Sequence, residues 1–441
     1  MTVGLKDLVS RLWPLHRTLA SDGTDEALHV IGEHLPAGAA YAIETYAPGE
    51  AVWTWRVPPR YVVHEAYLET EDGERLLDFK DNPLHLVSYS VPVDRVMTWA
   101  ELEPHLHTSA ARPHAIPWEF SYYEPRWGFC LSRAQWDGLP RGARYRAVIR
   151  SEFVADPARG LRVGAGALPP GGGGDDAEGE MLVCAHVCHP CQANDDLAGV
   201  ATAVEVARRL AARPLPPASM GVRFLFGPET IGSICYLSRH EDLIPRLKGG
   251  VFCEMTGNRN SLILQRSRQD GHLIDRIARD VLQRRGRAFR EGAFRDVIVN
   301  DELVINGPGV NVPCISLSRW PYEEYHTSDD TPDIIHEDLL VEAADAVEEI
   351  VRVFAANYVP RRTFRGPVFL SRYGLWADWR TQPALNSALD KLMLRLEGKH
   401  SLFDIAEELG LEYPLVREYV ERFRAQGLVE ARPIPSVSEG S

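Results

Sequence analysis

At 441 residues the chain is too long for one typical domain, so two or three are expected. Its 45% apolar and 25% charged residues exclude a disordered or fibrous class, and no apolar run is long enough to span a bilayer. The formal charge of −14 argues against a nucleic-acid surface covering the whole chain. The start, MTVGLKDLVSRLWPLHRTL, lacks an uninterrupted apolar signal core. The seven cysteines sit mostly in apolar, strand-like runs, so they read as reduced thiols of a cytoplasmic protein rather than as a disulfide framework.

Residues 4–20 and 24–34 show helical apolar spacing, separated by Ser21-Asp22-Gly23-Thr24, a stop followed by an N-cap. From Ala47 to Phe153 short alternating pieces such as YVVHEAYLE and RLLDF replace that pattern, with a hairpin predicted at Asp72-Gly73. Residues 47–153 are therefore expected to form a small β-rich unit inserted into a domain made of 1–46 and 154–360. The Gly/Pro-rich loop Pro169–Gly174 has no Lys-Ser/Thr to cradle phosphate and reads as a hairpin tip.

From Met181 strands and helices alternate. Strands are predicted at 181–186, 222–226, 250–255 and 314–317. Helices are predicted from Leu197, from Ile231, over 271–284 and over 339–358. This predicts an α/β fold with a mixed, mostly parallel sheet flanked by helices. In such sheets functional groups gather at the carboxyl ends of the strands, and acids or histidines follow each one: His186, Glu229, Glu254 and the run Glu323 to His326. An imidazole at a strand end and the pair Asp195-Asp196 at a helix start suit a shared Zn²⁺, which takes His nitrogen and carboxylate oxygen. The competing reading is a satisfied strand-end histidine and an Asp N-cap. Cys188-His189-Pro190-Cys191 also spells a redox CxxC, but it lies in a turn instead of opening a helix.

Residues 361–441 predict a winged helix-turn-helix domain: helix Gln382–Leu396, then LFDIAEELG, a turn at Gly410, LEYPLVREYVERFRAQG and a short strand. This segment has twelve Lys/Arg against eleven Asp/Glu, and Glu418 and Glu421 stand beside Arg417, Arg422 and Arg424. So little net positive charge disfavours duplex binding. Packing against the enzyme or a partner subunit in a homo-oligomer is expected instead.

Together AHVC, ANDDLAG, FGPETIGS, FCEMTGN and EEYHTSDDT resemble, in order and spacing, the zinc-dependent aminopeptidase family that binds two co-catalytic metals. The resemblance covers about 160–358 and the N-terminal helices. IPWEFSYYEPRWGFCLS and DFKDNPLHLVSYSVPVD resemble a bacterial aminopeptidase-like subgroup with an inserted β domain and a C-terminal winged helix, often labelled polysaccharide-biosynthesis proteins. The resemblance implies that His186 and Glu254 bind a first zinc, that Asp195 bridges through a cis bond to the catalytic-site acid Asp196, and that His326 binds a second ion. It makes Glu229 the general base, taking a proton from the attacking water.

Two departures stand out. Glu229-Thr230 replaces the family's Glu-Glu, and His186-Val187-Cys188 replaces its His-x-Asp. The expectation is one firmly held zinc on His186, Asp195 and Glu254, with a second weak or absent unless Cys188, His189 or Glu324 contributes. Asp301 and Glu302 are expected near the substrate amine. Arg319, with Tyr322 nearby, is expected to clamp a carboxylate or else to pair with Glu323. Tyr122, Tyr123, Arg126 and Trp127 either narrow the cleft or dock the inserted unit. The implied function is hydrolysis of an amide, an N-terminal aminoacyl or a peptide bond of a small substrate. The alternatives are a single-zinc cyclase or acyl-transfer enzyme, as in glutaminyl cyclases of the same fold, or a metal-sensing DNA-binding regulator, which would not need Glu229.

Overall fold

The computed structural model describes residues 4–171, 179–217 and 219–434. Its largest sheet has eight strands. From one edge to the other they are Ala42–Tyr46, Leu161–Leu168, Gly221–Gly227, Glu180–His186, Leu247–Cys253, Cys314–Ser318, Ile263–Gln265 and Arg290–Gly292. The four central strands, from Gly221–Gly227 to Cys314–Ser318, run parallel. Antiparallel pairs join the flanking strands to them. Every residue of Glu180–His186 is buried, as expected of a strand covered on both faces. Alternate side chains feed two cores. Met181, Val183 and Ala185 join one with Val251 and Ile315, and Leu182 and Cys184 join the other with Phe252 and Cys314.

Helices Leu5–Leu12, Gly199–Ala212, Leu273–Arg284 and Glu337–Ala355 supply the first core, and Ile231–Arg239 the second. Because the central strands are parallel, their carboxyl ends lie along one edge, where His186 ends its strand and Glu229 and Glu254 follow theirs.

The loop after Leu168 is not a hairpin tip. Leu161–Leu168 and Glu180–His186 both pair with Gly221–Gly227, which lies between them. An apolar run buried on both faces was free to take a central position, and the loop crosses over instead. Residues 172–174 of that loop lie outside the described residues.

A second sheet of four antiparallel strands, ordered Arg75–Asp78, Arg60–Thr70, Arg144–Val154 and Val93–Thr98, comes from within residues 60–154. The turn at Asp72-Gly73 closes its hairpin, with Gly73 at φ +89°. This region reaches the large sheet where Trp118 N donates to His326 O at 2.8 Å and Arg112 pairs with Asp329 at 2.6 Å. At the C-terminal end, helices Pro383–Arg395, Leu402–Leu409 and Tyr413–Ala425 precede strand Val429–Arg432, which pairs with Val359–Arg362. That pairing spans the expected boundary at 360. Leu385, Leu402, Val416 and Phe423 belong to the same continuous core as Leu340 and Val347. Among the described residues no helix is long and apolar enough to cross a membrane.

Candidate metal centre

The turn after His186 returns the chain so that Asp195 and Asp196, joined by a cis peptide, lie beside the strand end. Asp196 accepts from the backbone N–H groups of His186 at 3.2 Å, Gly199 at 3.1 Å and Met255 at 2.9 Å. One carboxylate thus ties together a strand end, a helix start and the turn beyond Cys253. Gly199 permits this approach, because a Cβ there would lie 2.3 Å from Asp196 Oδ1 and 2.2 Å from the Cys253 carbonyl. Asp196 was expected among the catalytic residues; its carboxylate accepts from three backbone N–H groups around the cluster. The carboxylate of Asp330 does the same one step earlier, accepting from Ala193 N at 3.1 Å, Asn194 N at 2.7 Å and Asp195 N at 3.2 Å.

Between these anchors Asp195 presents its two oxygens in different directions. Oδ1 lies 3.0 Å from His186 Nε2, and Oδ2 lies 3.0 Å from His326 Nε2 and 3.9 Å from His189 Nε2. Glu254 Oε1 is 3.8 Å from His186 Nε2. His186, Asp195 and Glu254 are sealed from solvent, and His186 Nε2, Asp195 Oδ1 and Glu254 Oε2 have no hydrogen-bond partner. Buried polar atoms are seldom left unpaired, and the three residues bring ligand atoms within 4.8 Å of one another, an arrangement that fits a bound cation. An imidazole and two carboxylates are donors that zinc takes. Two other groups, His186 with Cys188 and His189, and His189 with Asp195 and His326, also bring their ligand atoms within 4.8 Å of one another.

Cys188 sits where the resemblance implies an orienting acid. Its Sγ lies 3.2 Å from His189 Nδ1 and 4.0 Å from His186 Nδ1, and accepts from Glu229 N at 3.1 Å. Glu229 follows strand Gly221–Gly227, and its Oε2 is 3.3 Å from His189 Nε2. With 30% of its side chain exposed, Glu229 reaches the open side of a cluster whose His186 and Asp195 are closed off. Lost hydration, then the nearby acids Asp195, Asp301 and Glu254, push its carboxyl up to about 8 against the pull of His186. Burial, then the Asp195 charge, lifts Glu254 to about 7 against its contact with His186, and a cation among these acids would lower both again.

The expected substrate residues are placed differently. Arg319 is buried and donates to the carbonyls of Thr256, Asn260 and Leu339 and to Glu342 Oε2 at 3.1 Å. It neither clamps a carboxylate at the site nor pairs with Glu323, which meets Arg112 instead. Flanked by three carbonyls at a strand end, a guanidinium is held as a backbone staple. Tyr322 is buried and donates to Asp330 Oδ2 at 2.7 Å, the carboxylate that holds the backbone of Asp195.

Asp301 accepts from Thr230 N at 3.2 Å and from the Ser233 hydroxyl. Glu302 accepts from Asn300 N at 3.0 Å and Gln265 Nε2 at 3.2 Å. Both are buried behind the cluster, and burial raises Glu302 to about 8. Of the four aromatic or basic candidates at 122–127, Tyr123 donates to Arg56 O, Arg126 pairs with Glu124, Trp127 stacks on His105, and Tyr122 is half-buried against Phe120 and Tyr89. Glu324 belongs to none of the metal-type groups among the described residues.

Asn300, which the sequence reading grouped with Asp301 and Glu302, and Trp118, which it did not single out, also build the site. Asn300 Nδ2 donates to Glu254 Oε1, and Trp118 packs its ring 4.1 Å from His189 and 4.6 Å from His326. A further signal lies in the backbone. His189, Cys191, Thr230, Met255 and His326 have φ between +49° and +93°. Such conformations in non-glycine residues concentrate at functional sites, and a single sequence does not display them.

Residues 6–357 match the family described as Domain of unknown function (DUF4910). A Clostridium acetobutylicum protein, provisionally named a polysaccharide biosynthesis protein with an aminopeptidase-like domain, is 31% identical over 417 residues, 93% of this chain and 92% of its own. A crystal structure from Clostridium acetobutylicum, provisionally described as a peptidase, aligns with 97% of this chain and 96% of its own at 30% identity and a TM-score of 0.82. A zinc aminopeptidase from Bacillus subtilis aligns with 79% of this chain and 92% of its own at 14% identity and a TM-score of 0.60, a likeness of fold alone.

Proposed function

Because the chain belongs to the family described as Domain of unknown function (DUF4910) and shares the fold of zinc aminopeptidases, we propose that it is a zinc-dependent hydrolase cleaving an amide, most simply an N-terminal aminoacyl or peptide bond of a small substrate. One observation carries this reading: ligand atoms of His186, Asp195 and Glu254, all sealed from solvent, lie within 4.8 Å of one another beside a part-exposed carboxylate. His186, Asp195 and Glu254 would hold the ion, with Asn300 fixing Glu254 and Asp196 fixing the backbone between them. When bound, zinc supplies Lewis acidity and makes water more acidic.

Glu229 takes the proton of the attacking water on its carboxylate and returns it to the departing amine. Trp118 and Tyr325, packed on His189 and His326, wall the site and restrict water there. We read residues 47–153 as an inserted unit that supplies part of this wall, and the helices after Pro360 as a winged helix that docks on the enzyme core rather than on DNA. Its cations support that choice. Arg422 donates to Gly374 O, and Arg424 meets Glu421 and the Tyr358 ring. Seven free, buried thiols fit a reducing compartment such as the cytoplasm.

A screen of aminoacyl anilides and short peptides with zinc-loaded protein tests the reading. Free amine should appear, and Glu229→Gln should lower the rate by about 100-fold or more. A rate indifferent to that substitution removes Glu229 as base.

A further inference from the structure

We propose that His189 is a ligand of a second zinc ion, shared with Asp195 and His326, so that an imidazole stands in for the carboxylate this chain lacks at Thr230. The inference rests on the reading of the cluster as a zinc centre and adds to it the second ion and its third protein ligand.

The geometry points there from three sides. Asp195 keeps Oδ1 toward His186 and turns Oδ2 toward His326 Nε2 at 3.0 Å and His189 Nε2 at 3.9 Å. Ligand atoms about 2.0–2.2 Å from one zinc lie roughly 3–4 Å apart, the spacing these atoms have. Next, Nε2 is the nitrogen that His189 turns toward Asp195, because Nδ1 is engaged by Cys188 Sγ at 3.2 Å. Finally, both imidazoles are held in place. Trp118 packs against His189 and His326, its backbone N donates to the His326 carbonyl, and the two histidines hold left-handed φ of +93° and +53°. Two turns, far apart in sequence, adopt uncommon backbone conformations and deliver imidazole nitrogens to one oxygen of a single carboxylate.

A rival role for His189 is to orient Glu229, whose Oε2 is 3.3 Å from Nε2. The two roles differ in metal content. Zinc bound per chain is counted by mass spectrometry of the full-length protein after dialysis to low free zinc, for wild type, His189→Gln and His189→Ala. Circular dichroism and thermal unfolding check that each variant is folded. The proposal predicts two ions in wild type and one in both variants, with Co²⁺ absorption halved in step. Two ions retained in a folded His189→Gln overturn it. One ion in wild type also overturns it, whatever the variants do, and leaves the single-ion hydrolase standing. No ion in wild type sinks both.

Discussion

Cys188 lies between two imidazoles that both present Nε2 to Asp195, and a thiol there fixes how each ring is turned. Groups that orient metal-binding histidines affect affinity more than ligand number. Cys188→Ala is therefore expected to weaken zinc binding by about 10- to 100-fold, measured by competition with a chelator, while the maximum number of ions bound stays the same. An unchanged affinity would show that packing alone holds the rings. At this scale the sequence shows residue type and position but not direction. His186, Asp195, Glu254 and His326 could be picked out because each is a ligand type at a strand end or loop where a parallel sheet collects such groups. Arg319 and Tyr322 were equally plausible by type, yet one ends among carbonyls and the other on Asp330. His189 lay in plain view, but its neighbours in sequence say nothing of the turn that swings it back to Asp195.

The strand and helix alternation after Met181 was legible because periodicity survives in the sequence. Pairing partners were not, which is why the loop after Leu168 was misread. A run of apolar residues states that a strand is buried without stating between which others. Helix ends after Met181 lie close to the expected bounds, whereas the first helix stops at Leu12 and does not run on to residue 20. Leu273–Arg284 begins just after His272, whose side chain accepts from Ile274 N and so must be neutral to serve as the cap. Burial, then the Arg276 charge, lowers His272 to about 4, and burial, then Arg17, lowers His16 to about 4.

Unfolded, both imidazoles titrate near 6.5, so between about 4 and 6.5 the unfolded chain binds more protons than the native one. Stability is then full above about 6.5 and falls as pH drops through that window. His272→Asn keeps a capping acceptor and removes one titrating ring. Its melting temperature should fall less between pH 7 and pH 5 than that of wild type, as calorimetry would record. An equal fall in the two proteins would mean that other groups govern the acid limb.

At the scale of the whole molecule, the C-terminal helices share one core with Glu337–Ala355, and residues near Trp118 close over the end of the large sheet. The sequence indicated three compositional regions but not how they join. The strand Val359–Arg362 belongs to both sides of the boundary that composition suggested. What these regions bring together is a cluster of donors from strand ends, a cis-linked aspartate pair and a distant loop, with three of its buried atoms lacking a hydrogen-bond partner. The most direct measurement is an anomalous difference map at the zinc edge from crystals of the zinc-loaded protein. The account predicts a peak within about 2.0–2.2 Å of His186 Nε2 and of carboxylate oxygens of Asp195 and Glu254. A map with no peak among these three side chains, in crystals that hold zinc elsewhere, would contradict it.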